Sequence, residues 1–178
     1  MPALDPERFQ LRHYPYGKTL REIVLDYELV RSINQQAVPH VSSLAPDELK
    51  KLAAQCFHFA VASVGSACAG FLMALRPGEG YGSLNYRWFS EHYANFVYID
   101  RIAIASEFQG RGVGRALYAD VEQAAKGLAP ILTCEVNLVP PNPGSMAFHA
   151  KLAFAEVDQM DGEDGAKRVS LMVKAIRV

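Results

Sequence analysis

A glycine-rich turn set between an apolar strand and an amphipathic helix constrains this chain more than any other stretch. Phe96 to Ile104 carries one charged pair, Asp100-Arg101, in an otherwise uncharged run, the pattern of a strand buried on both faces. Val113, Ala116, Leu117, Val121, Ala124, Ala125 and Leu128 then recur at three- and four-residue spacing and predict a helix laying one stripe on a core, with Gly127 as its stop. The connection reads Gln109-Gly110-Arg111-Gly112-Val113-Gly114-Arg115. The first turn of a helix has unpaired N–H groups and the positive end of the dipole, and glycines let that backbone approach a phosphate. Arg111 and Arg115 add charge.

Two phosphate loops are excluded residue by residue. A P-loop needs Gly-Lys-Ser/Thr, but Gly114 is followed by Arg115 and Ala116. A dinucleotide fingerprint needs Gly-x-Gly-x-x-Gly, and its last place is held by Arg115 or Leu117 in the two registers available. What remains is Gln-x-x-Gly-x-Gly, from Gln109 to Gly114. It resembles the acyl-CoA pyrophosphate loop of the GNAT superfamily of N-acetyltransferases. Downstream, Asn142, Ser145, Phe148-His149 and Leu152-Ala153-Phe154 resemble that family's second block, an Asn, a small residue, Phe-Tyr and Leu-Gly-Phe. The likeness covers roughly residues 57 to 175. His149 stands where the family usually has Tyr, and Ala153 where it usually has Gly.

Composition narrows the class of partner. At 178 residues, half of them apolar, the chain has the size of one globular domain. A net charge of −1 gives no general electrostatic case for nucleic acid or a membrane surface. Cys56, Cys68 and Cys134 have no metal-ligand spacing, and their odd number suits a reducing, cytoplasmic compartment. They read as core residues. Met1 to Gln10 contains Asp5, Glu7 and Arg8 and no apolar core, so no secretory signal is expected. The uncharged run Phe59 to Leu75 is broken by Ser63, Gly65, Ser66 and Gly70, and two strands around a Val64-Gly65-Ser66 turn fit it better than a membrane span.

The remaining elements follow in order. Arg8 to His13 is a weak first strand. From Lys18, Leu20, Ile23, Val24, Tyr27, Val30 and Ile33 mark a helix ending before Pro39, and Pro46-Asp47-Glu48 opens a second with Leu49, Leu52 and Ala53 inward. Asn34 to Leu44 reads as a polar loop, and Arg76 to Asn95 as a long aromatic one. Ile131 to Val136 predicts a strand, Ser145 to Leu152 a short helix with Met146, Ala147, Ala150 and Phe148 inward, and Phe154 to Val157 with Val169 to Ala175 a strand pair around an acidic turn, Asp161 to Gly165. Helices early and strands alternating with helices later imply a mixed α/β sheet. The resemblance sharpens this to a single-domain fold over residues 1–178, its central, mostly antiparallel sheet flanked by helices. The acceptor-side helices would span about 18–55 and the CoA-binding core about 96–155.

The resemblance also implies roles for matching residues. Ile102, Ala103 and Ile104 would pair their backbone with the pantetheine arm, and an N–H there would polarise the thioester carbonyl and hold the oxyanion. Gln109 to Arg115 would hold the pyrophosphate of acetyl-CoA, and Asn142 and Ser145 its lower arm. Glu135 matches the base used in the ribosomal-protein N-terminal acetyltransferase branch. A carboxylate on an apolar strand facing a cleft would have its pKa raised toward a useful value. Asp100 competes for that role, unless Arg101 holds it in a structural ion pair. His149 would be the acid that protects the departing thiolate. His13, His40, His58 and His92 have no such pattern around them, and no metal is expected. Tyr81, Tyr86 and Trp88 would wall the acceptor together with the Asn34 to Leu44 loop. The implied reaction is acetyl transfer from acetyl-CoA to a primary amine of a small molecule, by direct attack in a ternary complex; a protein N-terminal or lysine acetyltransferase and a CoA-binding module without turnover are the competing readings, and a homodimer stays open.

Overall fold

The computed structural model describes residues 8–14, 20–162 and 165–177, and the backbone alone for 20–25. The stretch up to Glu7, the helix start at Lys18, the side chains of Leu20, Ile23 and Val24, and the turn acids Glu163 and Asp164 lie outside the described residues. Strands β1 (Phe9–His13), β2 (His58–Val64), β3 (Ala67–Leu75), β4 (Val97–Ile104), β5 (Ile131–Val139), β6 (Ala155–Asp161) and β7 (Arg168–Ala175) form one seven-stranded sheet in the order β1-β2-β3-β4-β5-β7-β6. Helices α1 (Leu20–Gln36), α2 (Pro46–Gln55), α3 (Leu84–His92), α4 (Val113–Ala125) and α5 (Pro143–Lys151) complete the mixed α/β fold. Two compact units share the chain, one of residues 1–74 and 101–121, the other of residues 75–100 and 122–178.

In the first unit, β1 and β3 pair antiparallel with β2, and the expected hairpin turns at Gly65, whose φ of 60° suits a residue without Cβ. Gly70 is required by packing. A Cβ there would come within 2.7 Å of the Ala103 carbonyl oxygen, and the adjacent Ala105 N–H donates to the Ala69 carbonyl at 3.0 Å. Leu49, Leu52 and Ala53 are buried as the helical spacing predicts, and Glu48 accepts the Ala45 N–H at 2.7 Å, half of a capping box. Asn34 to Gln36 belong to α1 and not to a loop. Asn34 is fully buried, because its amide donates to the Ser42 carbonyl and its oxygen accepts from Arg101.

In the second unit, β4 pairs parallel with β5 through Val97↔Leu132 and Tyr98↔Thr133, and β7 lies antiparallel between β5 and β6. The long aromatic connection contains α3. Ser83 caps it by accepting the Tyr86 N–H, and Tyr86 and Phe89 turn inward against Phe96 and Tyr98 with ring centroids 5.6–6.2 Å apart. On α5 it is His149 that is buried, whereas Ala147 and Ala150 face solvent. Helix α4 stops at Ala125, and Gly127 adopts the expected left-handed φ of 73°. Leu128, expected on the buried stripe, is 42% exposed, because the reversal at Gly127 puts Ala129 inward instead.

Candidate functional site

The glycine-rich connection has the backbone of an anion cup. After a single 3-10 turn, Ser106–Phe108, Gly110 and Gly112 take φ values of 72° and 97°, which side chains with a Cβ rarely adopt. The Gly112 carbonyl accepts the first helical bond, from Ala116 N at 3.0 Å. Gly112 therefore acts as the N-cap of α4, and the N–H groups of Val113, Gly114 and Arg115 have no acceptor within the helix. The Gln109 side chain folds back and donates to the Ile104 carbonyl at 3.1 Å, which fixes the loop to the end of β4. Arg111 stacks over Phe108, its Cζ 5.5 Å from the ring centroid, and its Nε is buried with no hydrogen-bond partner. A buried donor of that kind is costly unless an anion meets it, so the residues present fit a bound diphosphate.

Just upstream, Ala103 turns its carbonyl toward Gly70 of β3. Strand alternation therefore turns the peptide groups of Ile102 and Ile104 to the opposite edge, where the Gln109 amide takes one carbonyl. Arg101 is only 7% exposed. Its guanidinium donates to Asn34 Oδ1 at 3.1 Å and to Ser42 Oγ at 3.3 Å, so it anchors the 34–44 segment expected on the acceptor side.

The second unit holds the carboxylates. Thr133 pairs with Tyr98, and Glu135, two residues on, shares the face of Thr133, so the buried Tyr98 phenol reaches it and donates to Glu135 Oε2 at 2.8 Å. Burial pushes the Tyr98 pKa well above that of an ordinary phenol, and the negative charges of Glu135 and Asp100 push it further. The phenol accordingly keeps its proton and acts as a fixed donor. Asp100 accepts a hydrogen bond of 2.5 Å from Tyr81. Both candidate bases are thus gripped by tyrosines, and Tyr98 was not singled out in the sequence because its partner lies 37 residues away.

Asn142 caps α5, its Oδ1 accepting the Ser145 N–H at 3.1 Å. His149 Nδ1 lies 2.8 Å from the Ser145 carbonyl, which only accepts, so the ring carries its proton on Nδ1. Burial lowers the pKa of His149, the Ser145 hydrogen bond opposing it in part. At neutral pH the imidazole is therefore uncharged, and the thiolate-protonating role would need a second proton that this environment disfavours. Tyr86 is 3% exposed, its hydroxyl donating to the Arg76 carbonyl at 2.7 Å and accepting the Glu79 N–H at 3.0 Å. It packs the core and does not present an open wall. Trp88, half-buried, stacks on His92 with ring centroids 3.9 Å apart.

Comparison with known proteins gives the family. The sequence profile of the acetyltransferase (GNAT) family matches residues 27–154, so the chain belongs to that family. No curated protein sequence matches it. Among solved structures it is similar to the ribosomal-protein-S18-alanine N-acetyltransferase of Escherichia coli, with a TM-score of 0.68 and 16% identity over 96% of this chain and 95% of that one. It is also similar to Ard1 from Thermoplasma volcanium, with a TM-score of 0.74 and 16% identity over 96% and 99%. NAA60 of Arabidopsis thaliana, solved with acetyl-CoA, gives a TM-score of 0.70 and 14% identity over 94% and 98%. Likeness at these identities is likeness of fold.

Proposed function

We propose that this protein is an N-acetyltransferase that moves the acetyl group of acetyl-CoA to a primary amine of a small molecule, by direct attack while both substrates are bound. When bound, acetyl-CoA supplies an activated thioester carbonyl. The observation that carries the reading is the turn of Gly110 and Gly112 at the start of α4, where the amides of Val113 to Arg115 have no acceptor within the helix, with the unmatched Nε of Arg111 beside it. The main chain of Ile102 to Ile104 orients the acyl arm, and an N–H there holds the developing negative charge on oxygen. Glu135, fixed by Tyr98, takes the proton from the amine, and Asp100, fixed by Tyr81, favours an acceptor that arrives as an ammonium. Asn142 and Ser145 position the lower part of the cofactor from the start of α5. Residues 1–178 act as one catalytic module in this reading, in a reducing cytoplasmic setting that suits a chain with three cysteines. Among the described residues, no helix is long and apolar enough to cross a membrane.

A second reading, a protein's amino terminus as acceptor, draws on the likeness in fold to the S18-alanine enzyme. Acetyl-CoA-dependent thiol release with small amines in one arm and peptides with free amino termini in the other separates the two readings. Turnover with neither, alongside normal acetyl-CoA binding, would leave a binding module. Glu135→Gln should lower kcat about a hundredfold or more while acetyl-CoA affinity changes less than about threefold. An unchanged kcat would transfer the base role to Asp100 or to water.

A further inference from the structure

Within the first unit, three elements bring one metal-ligating side chain each to a common point. His13 on β1 and His58 on β2 both place Nε2 2.8 Å from Asp120 Oδ2 on α4. The three ligand atoms lie within 4.8 Å of one another, and the two imidazole rings are 5.1 Å apart at 59°. The partners are 107 and 62 residues from Asp120 in sequence, so the convergence is a product of the fold and not of a local turn.

We propose that His13 Nε2, His58 Nε2 and Asp120 Oδ2 form a binding site for a divalent transition-metal ion, zinc foremost. Two imidazoles and one carboxylate are a three-ligand zinc set that leaves a fourth position for water. The exposures suit that arrangement: the His58 side chain is 9% exposed and fixed by its strand, Asp120 is 23% exposed, and His13 is 43% exposed and opens to solvent. Zinc–ligand bonds of about 2.0–2.1 Å in a tetrahedron put ligand atoms roughly 3.3 Å apart. Each nitrogen–oxygen separation therefore has to widen by roughly half an ångström from the metal-free value. Rotation of the partly exposed Asp120 and His13 supplies this without moving β2.

A bound ion acts through the fold. It ties β1 and β2 to α4, the helix whose first turn forms the anion cup, and Asp120 sits about two turns along that helix from Val113. Metal binding is thus coupled to the stability of the first unit.

Calorimetry of the reduced full chain with zinc chloride, and the visible spectrum of the same chain with cobalt(II), test the site. The expected result is one equivalent bound with micromolar or tighter affinity, a tetrahedral cobalt spectrum, and a rise in Tm with zinc that chelator reverses. His13→Gln, at the exposed ring, should weaken binding on the order of tenfold or more, with acetyl-CoA affinity unchanged, and Asp120→Asn should do the same. Absence of binding, binding that survives His13→Gln, or a thiolate-to-cobalt charge-transfer band placing the ion on a cysteine would each overturn the proposal. If Asp120→Asn does not fold, His13→Gln decides alone. None of these readouts depends on acetyl transfer.

Discussion

At the scale of single residues, the fold shifts the ionisation of two side chains at the candidate site, Tyr98 and His149. Tyr98 is a buried donor that keeps its proton, and what it holds is Glu135. Tyr98→Phe keeps the ring in the core and removes only that hydrogen bond, so kcat should fall about tenfold with KM for acetyl-CoA nearly unchanged. A loss as large as that of Glu135→Gln would mean that the phenol itself moves the proton; no loss would make the contact purely structural. His149 shows the opposite sign of control. Its folded pKa lies below the ordinary value near 6.5, first because of burial. Folding therefore disfavours protonation, and its contribution to stability is fully present above the unfolded pKa and is lost as pH falls from there through the folded value. Between pH 7 and 5.5, Tm should fall less in His149→Gln than in the wild type. His58, whose pKa burial also lowers against the pull of Asp120, titrates in both proteins, so the difference isolates His149. Parallel Tm profiles would show that the His149 imidazole does not carry this pH dependence.

At the scale of elements, patterns that repeat locally were legible and patterns made by packing were not. The strand, glycine turn and helix from Val97 to Ala125 were readable because their periodicity and their left-handed glycines lie next to one another in sequence. Helix α3 was missed although its signals are present: Ser83 as cap, and Tyr86, Phe89 and Tyr93 at helical spacing. The run Pro77 to Gly82 before it made the whole stretch read as loop. Helix α5 was found but its facing was not, since Met146, Ala147, Phe148 and Ala150 surround His149 with apolar neighbours and give no polarity to orient by. Asn142 shows how an element's cap and a cofactor contact can be confused. Its oxygen is used on the Ser145 N–H, so Asn142→Ala should cost about 1 kcal/mol of stability by denaturant titration. If the residue also holds the cofactor, KM for acetyl-CoA rises several-fold as well; if KM stays put, the family-like Asn is a cap and nothing more.

At the scale of the molecule, the division between legible and hidden follows sequence distance. Arg101 reaches Asn34 across 67 residues and Tyr98 reaches Glu135 across 37, and no window of sequence contains either pair. The anion cup, by contrast, is written in seven consecutive residues, so the fold family could be recognised where the acceptor could not. With a net charge of −1 the molecule has no long-range pull on an anionic ligand, and in the proposed reading binding comes from the local geometry of that turn. A matched pair of variants on one helix tests this. Gly112 and Gly127 flank α4 and both hold left-handed φ values, 97° and 73°. Replacing either by Ala imposes similar backbone strain, about 1 kcal/mol, and should lower the Tm of the ligand-free protein by a few degrees. Acetyl-CoA at about a hundred times its Kd should stabilise the wild type by about 2.7 kcal/mol. Gly127→Ala should keep that ligand-induced rise in Tm in full, because its strain lies far from the cup. Gly112→Ala should lose most of it, because in the proposed reading the strain of a Cβ at φ 97° falls on the turn that presents the amides of Val113 to Arg115 to the diphosphate. Equal ligand-induced shifts in the two variants would show that the diphosphate does not bind at this turn.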